Sequence, residues 1–250
     1  MFTASITRSA FFSVSFLISY DAVSQLTILP KYEAGINAGA YMYQGDLTPH
    51  RIGSVETIQP GIAIFGTRIL SSTLSVRLQF ALARLAADES IYKYPDWRQQ
   101  RNFSFTASVK ELSLSIHWNI LGTNYTDVKF EPYIFAGAGL SYISTAQNYS
   151  RINLSYFGET SEVQNGILID AATPGRKVIP VVPVGAGLRY HISKKIVLNV
   201  EVAYRLVHTD YLDGFSKAAN PGLNDHYSGL TIGAAYKFGT KEKYGCPSVK

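Results

Sequence analysis

The feature that most constrains this sequence is an alternation of apolar and polar residues with a period of two. It is clearest in four segments, Thr73–Leu85, Val178–Ile192, Ile196–Val207 and Ser228–Phe238. Side chains on a β-strand point alternately to its two faces, so this period predicts strands with one apolar and one polar face. The chain is therefore predicted to be an all-β protein.

Further strands and the lengths of the connections indicate the architecture. Four more segments alternate less cleanly: Tyr32–Tyr43, Gln59–Ile69, Arg101–Asn119 and the glycine-rich Phe130–Ser144, whose facing is ambiguous. The resulting eight strands are joined by long connections at 44–58, 86–100, 145–177 and 208–226, short ones at 70–72 and 193–195, and an intermediate one at 120–129. Long loops at one end and short turns at the other are typical of outer-membrane β-barrels.

The segment Arg101–Asn119 changes parity partway along. Phe103 and Phe105 share one phase, whereas the apolar residues that begin at Leu112 share the other. A β-bulge near Val109–Glu111 would explain the slip, because one extra residue reverses the facing of the residues beyond it. Alternatively, the two phenylalanines lie beyond the lipid and face the barrel interior.

The distribution of polar residues separates two kinds of barrel. A lipocalin-like soluble barrel is apolar inside, whereas a membrane barrel is apolar outside. Here the polar faces combine glycines with a few charges, which suits a narrow interior, while the opposite faces are nearly uninterrupted Leu, Val, Ile, Ala and Tyr. The pattern favours an eight-stranded antiparallel transmembrane β-barrel over residues 32–238, and a soluble barrel or sandwich is the alternative. No transmembrane helix is expected, because no apolar run after Gln25 reaches 18 residues.

The first 24 residues have the pattern of a cleaved secretory signal peptide. A basic start with Arg8 is followed by a short apolar stretch and by Ala22-Val23-Ser24, which places small residues before a cleavage point. Residues 25–31 then form a short lead into the barrel, and residues 239–250 form a periplasmic tail. The predicted location is the outer membrane of a Gram-negative bacterium.

Composition excludes several other classes. Charged residues make up 16% of the chain and hydrophobic residues 46%, which excludes intrinsic disorder. The single cysteine excludes a disulfide scaffold, a Cys-rich zinc site and an iron–sulfur protein. No metal or cofactor motif is visible, so no cofactor is expected. The formal net charge of +5 is modest, and an exported protein is not expected to meet nucleic acid.

Charged residues on the polar faces are expected to form a network in the lumen. They are Arg77, Glu111, Arg189, Glu201 and Arg205. Eight strands enclose only enough space for side chains, so an open pore is not expected. The three arginines are predicted to pair with the two glutamates, and Glu201 and Arg205 are expected to face the lumen together. A proton or ion path through these residues is the alternative.

Basic residues collect at the short-turn end, which faces the periplasm in barrels of this kind. The candidate contacts for a periplasmic partner are Lys194, Lys195, Lys241, Lys243 and Cys246. The alternative for the lysines is solubilising charge at the lipid boundary, and for the cysteine an inert thiol. Tyr236 and Phe238 end the last strand in a way that resembles the signal read by the bacterial barrel-assembly machinery.

Two other functions are open at this point. The first is a rim enzyme that acts on lipid A or a surface protein, with candidate residues His208, Asp210, Asp213, His226 and Ser228. Their spacing matches no nucleophile motif, so no catalytic residue is assigned and the protein is predicted not to be an enzyme. The second is a structural or adhesive barrel whose long loops carry the function.

Short motifs spread along the chain resemble those of a known family. They are Gly45-Asp46-Leu47, Arg101–Phe105 before Glu111-Leu112, Pro132–Gly139, Tyr204-Arg205, Thr209–Asp213, Asn220-Pro221, Asp225-x-Tyr227 and Cys246-Pro247. Together they resemble the PorG-like outer-membrane β-barrels of Bacteroidota, over about Tyr32 to Pro247. The most specific parts are Thr209–Asp213 and the terminal Cys-Pro pair.

The resemblance implies a non-enzymatic role in protein transport. A PorG-like barrel is an accessory component of the type IX secretion system, and it attaches a periplasmic ring of PorK and PorN to the outer membrane. A PorK-like lipoprotein and a PorN-like ring protein are therefore the expected partners. Outer-membrane lipid and, during insertion, the barrel-assembly machinery are the others.

Overall fold

A computed structural model describes residues 32–50, 52–125, 128–158, 162–173, 176–207, 212–219 and 225–239. The predicted signal peptide, the lead at 25–31 and the tail beyond Gly239 lie outside these residues. The described strands are β1 (Tyr32–Gln44), β2 (Gln59–Ile69), β3 (Leu74–Asp88), β4 (Ser104–Asn119), β5 (Phe130–Asn148), β6 (Arg176–His191), β7 (Ile196–Val207) and β8 (His226–Phe238).

The eight strands form a closed antiparallel barrel. Each strand pairs with the next along the chain, and β1 also pairs with β8 over its whole length, from Tyr32 opposite Phe238 to Gln44 opposite His226. Closure satisfies the backbone hydrogen bonds of both terminal strands and leaves no exposed sheet edge. The predicted eight-stranded all-β barrel is confirmed.

The two ends of the barrel differ in the way that the sequence predicts. Short connections join β2 to β3, β4 to β5 and β6 to β7, and long ones emerge at the opposite end. The long connections contain 3-10 turns at Val55–Thr57 and Glu89–Ile91, and the helices α1 (Asp96–Arg101), α2 (Leu154–Phe157) and α3 (Glu162–Ala171). None of the described helices is long and apolar enough to cross a bilayer.

The outer surface of the barrel carries an apolar belt. Its exposed members on β3, β4 and β7 include Leu78, Phe80, Leu82, Leu112, Leu114, Ile116, Leu198, Val200 and Val202. Aromatic side chains ring the belt at the short-turn end: Tyr32, Trp118, Phe130, Tyr190, Tyr236 and Phe238. In water such a belt would be an aggregation site, whereas an apolar band with an aromatic girdle matches the hydrocarbon core of a membrane and its interface.

Strand β4 corrects one interpretation of the sequence. Its inward and outward positions alternate without interruption from Ser104 to Asn119, and its register with β3 is continuous, so there is no β-bulge near Val109–Glu111. Phe105 points inward. The alternative interpretation is therefore correct, since the phenylalanines face the interior beyond the belt.

The apparent slip arises because the polar and apolar faces exchange places along the strand. At the short-turn end the exterior is apolar and the interior is polar. Toward the long loops the exposed outward residues of β4 become Lys110, Ser108 and Thr106, and the inward ones become Val109, Ala107 and Phe105. The same exchange occurs at Arg84 on β3, and β3 and β5 continue past their predicted ends, to Asp88 and Asn148, where both pair with Ser104 of β4.

This exchange predicts the position along β4 at which its outward face passes from lipid into water. In a Cys246→Ser background, a thiol reagent that does not cross membranes should label Thr106→Cys on intact cells and should not label Leu114→Cys. Both positions face outward on the same strand and differ in whether water or lipid surrounds them. Equal labelling of the two variants would contradict the arrangement.

Candidate functional site

Charged side chains fill the lumen in successive layers, beginning at its short-turn end. Nearest the turns, Arg189 lies 3.1 Å from Glu131 Oε1 and 3.5 Å from Glu33 Oε2. Lys237 Nζ lies 3.7 Å from Glu33 Oε1, and His191 Nε2 lies 3.0 Å from Glu131 Oε2. Of these five residues only Arg189 was predicted to join the lumen network. His191 and Lys237 lie on the polar faces of predicted strands but were not assigned to it, and Glu33 and Glu131 are each the second residue of a strand.

The middle of the lumen is organised around Glu201. One carboxylate oxygen, Oε1, is ion-paired with Arg77 and accepts a hydrogen bond from the Tyr133 hydroxyl. The other, Oε2, accepts from Asn37 Nδ2 at 3.2 Å. Arg77 also lies over the Phe65 ring, 4.0 Å from its centroid. The buried carboxylate of Glu201 therefore has both a charged partner and neutral hydrogen-bond donors, which offset the cost of removing its charge from water.

A second ion pair lies one layer nearer the long loops. Arg205 Nε donates to Glu111 Oε2 at 2.8 Å, and the Tyr227 hydroxyl donates to the same oxygen at 2.8 Å. Glu201 and Arg205 both face the lumen as predicted, but Glu201 pairs with Arg77 and not with Arg205. Arg189 pairs with Glu131 and Glu33 and not with either predicted glutamate. Residues four apart on a strand share a face, but each finds a closer partner across the barrel.

A glycine opposite an aromatic residue helps to place the Glu201 donors. Gly187 on β6 stands directly across from Tyr133 on β5, and a Cβ atom at Gly187 would lie 2.4 Å from Cζ of the tyrosine ring. The ring therefore lies across the glycine, and its hydroxyl reaches Glu201. Any side chain at Gly187 would displace this hydroxyl.

Charge in the lumen is balanced and the space is filled. The buried charged residues on the described strands are Glu33, Glu111, Glu131 and Glu201 against Arg77, Arg189, Arg205 and Lys237. A cavity of about 20 Å³ lies between His117 and Arg205, which is room for about one water molecule. The lumen is thus a packed interior and not a channel, as expected for eight strands.

At the other end of the lumen the long loops lock together around Glu89. Its carboxylate is fully buried and accepts from Arg98 Nη1 at 3.0 Å and from Arg101 Nη2 at 2.6 Å. Arg98 also donates to the backbone carbonyls of Asp46 and Thr48, at 3.0 and 3.1 Å. This cluster joins the first long loop to the second.

Other contacts join the remaining two loops. The rings of Phe103 and Phe215 stack with centroids 4.5 Å apart, which links the second loop to the fourth. Asp170 of α3 in the third loop accepts from the backbone N–H groups of Lys217 and Ala218 in the fourth, at 3.0 and 2.9 Å. We call these interlocked loops the outer cap, which comprises the described residues within 45–58, 89–103, 149–173 and 212–225.

Two carboxyl groups share one tyrosine at the centre of the cap. The Tyr43 hydroxyl lies 2.6 Å from Asp213 Oδ2 and 2.6 Å from Asp225 Oδ1, and all three side chains are buried. One hydroxyl donates one proton, so the second short contact requires a proton on a carboxyl group. Burial, reinforced by the neighbouring Asp225 carboxylate, raises the pKa of Asp213 well above its ordinary value.

Several motifs that carry the family resemblance converge on this cap. Leu47, Phe103, Leu212 and Tyr227 all belong to its buried apolar cluster. Asp213 lies in the cap and accepts a hydrogen bond from the hydroxyl of Tyr43, at the end of β1. His208, Asp210, Asn220-Pro221 and Cys246-Pro247 lie outside the described residues. The sequence identifies these motifs as a set but does not predict that they meet, because they are far apart along the chain.

The residues proposed for catalysis are not assembled where the structure describes them. Asp213 is buried in the cap, while the His226 ring lies beside Tyr204 with 5.5 Å between centroids and its Nδ1 accepts from the backbone N–H of Val207. Ser228 Oγ accepts from Gln44 at 3.1 Å. No group of three or more His, Cys, Asp or Glu among the described residues could hold a metal ion.

The two predicted partner contacts that the structure describes lie at the opposite end of the barrel. Lys194 and Lys195 are exposed in the turn between β6 and β7. The backbone N–H of Lys237 donates to the carbonyl of Lys195 at 2.8 Å, so the last strand leaves the barrel beside this turn. Lys241, Lys243 and Cys246 lie outside the described residues. Tyr236 and Phe238 face outward in the aromatic girdle, and Phe238 stacks on Tyr32 with centroids 5.9 Å apart.

The closed lumen, apolar belt and outer cap define a small barrel of the outer-membrane type. Within that class, a family model described as "Domain of unknown function (DUF6089)" matches residues 9–244, and the chain belongs to this family. No curated protein matches the chain in sequence.

Solved structures of other small barrels are similar in fold. Neisserial surface protein A (NspA) is 13% identical, with a TM-score of 0.49 and alignment over 83% of this chain and 97% of that one. A major outer membrane protein from Thermus thermophilus is 14% identical, with a TM-score of 0.47 over 83% and 99%. Ail, the attachment invasion locus protein of Yersinia pestis, is 11% identical, with a TM-score of 0.46 over 84% and 100%.

The buried pair in the middle of the lumen predicts a stability effect. Glu201→Leu leaves Arg77 buried without its partner and should cost about 3–5 kcal/mol in the free energy of unfolding. The double variant Arg77→Met/Glu201→Leu should recover most of that loss. Urea unfolding in detergent measures both, with the outward-facing Arg68→Met as the control. A Glu201→Leu barrel as stable as the unmodified one would contradict the pairing.

The carboxyl pair in the cap predicts a pH effect. The raised pKa means that Asp213 binds its proton more tightly in the folded state than in the unfolded chain. Its contribution is fully present below about pH 4, the ordinary pKa of an aspartate, and is lost as pH rises through the folded-state pKa. The asparagine in Asp213→Asn cannot ionise. The melting temperature of this variant, measured relative to that of the unmodified protein, should therefore increase as pH rises. A melting-temperature difference that stays constant from pH 5 to pH 9 would contradict this assignment.

Proposed function

We propose that the protein is an integral β-barrel of the bacterial outer membrane that acts as a closed anchor. The observation that carries the proposal is that the route through the barrel is filled along its length. Paired charges fill the lumen, and the cap covers its outer end. Neither a pore nor a transport path fits such an interior. Function then belongs to the surfaces that the barrel presents on the two sides of the membrane.

The finer proposal places this anchor in type IX protein secretion, attached to a periplasmic ring of PorK-like and PorN-like proteins. It is supported by the sequence resemblance and by the basic turn at the short-turn end. Lys195 lies where β8 ends, so the exposed turn and the start of the basic tail adjoin each other. Together they would offer one cationic surface to a periplasmic partner. Tyr236 and Phe238, in the girdle beside it, are proposed as the signal for barrel assembly.

A second candidate is a surface-adhesive barrel, which the outer cap favours. The interlocked loops hold exposed apolar residues in fixed positions: Ile52, Val55, Tyr94 and Tyr156. Rigid aromatic and aliphatic groups of this kind lose little conformational entropy on binding. The two candidates differ in which end of the barrel carries function, and one experiment separates them.

Partner release tests the anchor. Reversing charge with Lys194→Glu/Lys195→Glu, or deleting residues 240–250, should abolish co-purification of the periplasmic ring proteins in mild detergent and reduce type IX export. The barrel should still fold, as judged by heat-modifiable migration on gels. Lys93→Glu, an exposed lysine at the cap end, is the matched control and should retain the partners. Unchanged recovery of the ring proteins with the turn variant and with the deletion would reject the anchor and favour the cap.

A further inference from the structure

Two basic side chains lie at the outer edge of the apolar belt on neighbouring strands. On β3 the last large apolar outward residue is Leu82, and the next outward residue is Arg84. On β4 the last is Leu112, and the next is Lys110. Both strands therefore change from apolar to cationic at about the same height, on the side of the belt nearest the cap.

The sheet register brings these two cations together. Arg84 pairs with Ser108, and Lys110 is two residues further along β4, so the two are diagonal neighbours on one face. Diagonal neighbours have Cβ atoms about 7–8 Å apart, close enough for two long side chains to reach one anion. Both residues are exposed, and neither forms a hydrogen bond or ion pair with another residue that the structure describes.

The surroundings also suit an anion. A cleft of about 320 Å³ beside Arg84 is lined by the side chains of Thr106, Ser108 and Ser144, which offer hydroxyl donors. Tyr142 stands directly across from Lys110 on β5. No carboxylate occupies the outward positions on β3 and β4 that flank the pair. The nearest on β3, Asp88, already binds Arg151 Nη2 at 3.1 Å.

We propose that Arg84 and Lys110 bind the phosphate of a phosphorylated glycolipid in the outer leaflet. The acyl chains would lie along the belt below, against Leu82, Leu112 and Leu140, while the sugar would occupy the hydroxyl-lined cleft. The inference rests on the proposed outer-membrane location, since only that bilayer places such a lipid at this edge of the belt.

Physical chemistry favours a phosphate at this position over an acidic side chain of another protein. A guanidinium and an ammonium group bind phosphate oxygens through charge-assisted hydrogen bonds, and Arg does so in a bidentate way. The neighbouring hydrocarbon lowers the local dielectric, which strengthens the attraction relative to that in water. An acyl-chain ligand also covers the apolar surface directly below, which a soluble anion cannot do.

The test measures binding of lipid A to the purified full chain in detergent, by native mass spectrometry. The probes are phosphorylated lipid A, the same lipid after dephosphorylation, and inorganic phosphate. Loss of charge-assisted contacts in Arg84→Gln/Lys110→Gln should weaken binding of phosphorylated lipid A by at least about tenfold. Arg68→Gln, which removes an outward cation from the short-turn half of the barrel, and the exchange Arg84→Lys/Lys110→Arg should both retain binding.

The outcomes separate this inference from the proposed function. Equal binding of the dephosphorylated lipid, unchanged affinity in the Gln double variant, or equally tight binding of inorganic phosphate would overturn the glycolipid site. Membrane fractionation of cells tests the location independently. Absence of the chain from the outer membrane would reject the proposed location, whatever the lipid affinity in detergent. The Gln double variant should still fractionate with the outer membrane, which shows that it folds.

Discussion

Pairing of β1 with β8 is the constraint on which the rest of the molecule depends. It closes the sheet, so the exterior can be apolar without exposing an unpaired strand edge to the lipid. Closure at eight strands also makes the interior too narrow for water to solvate charged groups freely. Every charge that faces inward must therefore find a partner of opposite sign. The ion pairs of the lumen follow from the topology as much as from the individual residues.

The cap is a consequence of the same narrow interior. Toward the long loops the inward residues become apolar, and an apolar lumen open to water would be unstable. The loops fold over it, and their own apolar side chains, such as Leu212 and Phe215, complete a single core with Phe105 from the barrel wall. Polar contacts such as those of Glu89 then fix the loops relative to one another. The outer end therefore has its own apolar core, covered by polar loops, above the membrane-facing part of the barrel.

The fold could be predicted closely because the alternation is a local property of strands. Strands β2 and β7 begin and end at the predicted residues. The ends near the cap were predicted too short for β3, β5, β6 and β8, because the strands continue there while the exterior changes from apolar to polar, and β4 begins three residues later than predicted, at Ser104. The bulge hypothesis for β4 failed for the same reason, since it assumed one environment along the whole strand.

The sequence could predict most of the residues that contribute charges to the lumen, but not which of them pair with one another. Five of the eight lumen charges could be identified because a charge on a small-residue face is conspicuous, whereas Glu33, Glu131 and Lys237 were not assigned to the network. Which carboxylate each arginine meets depends on how the barrel closes, and the alternation contains no information about contacts across the lumen. The Tyr43 cluster depends in the same way on loop packing between residues that are about 170 positions apart in the chain.

Unequal strand lengths have a consequence for how the molecule sits among its neighbours. Strands β3, β4, β5 and β6 contain 15, 16, 19 and 16 residues, whereas β1, β2, β7 and β8 contain 11 to 13. The extra residues lie at the cap end, so one wall of the cylinder rises well above the other. The rim of the barrel at the cap end is therefore asymmetric about the barrel axis. A neighbour that diffuses in the plane of the membrane meets a taller wall on the side of β3 to β6 than on the opposite side, so lateral contacts are oriented.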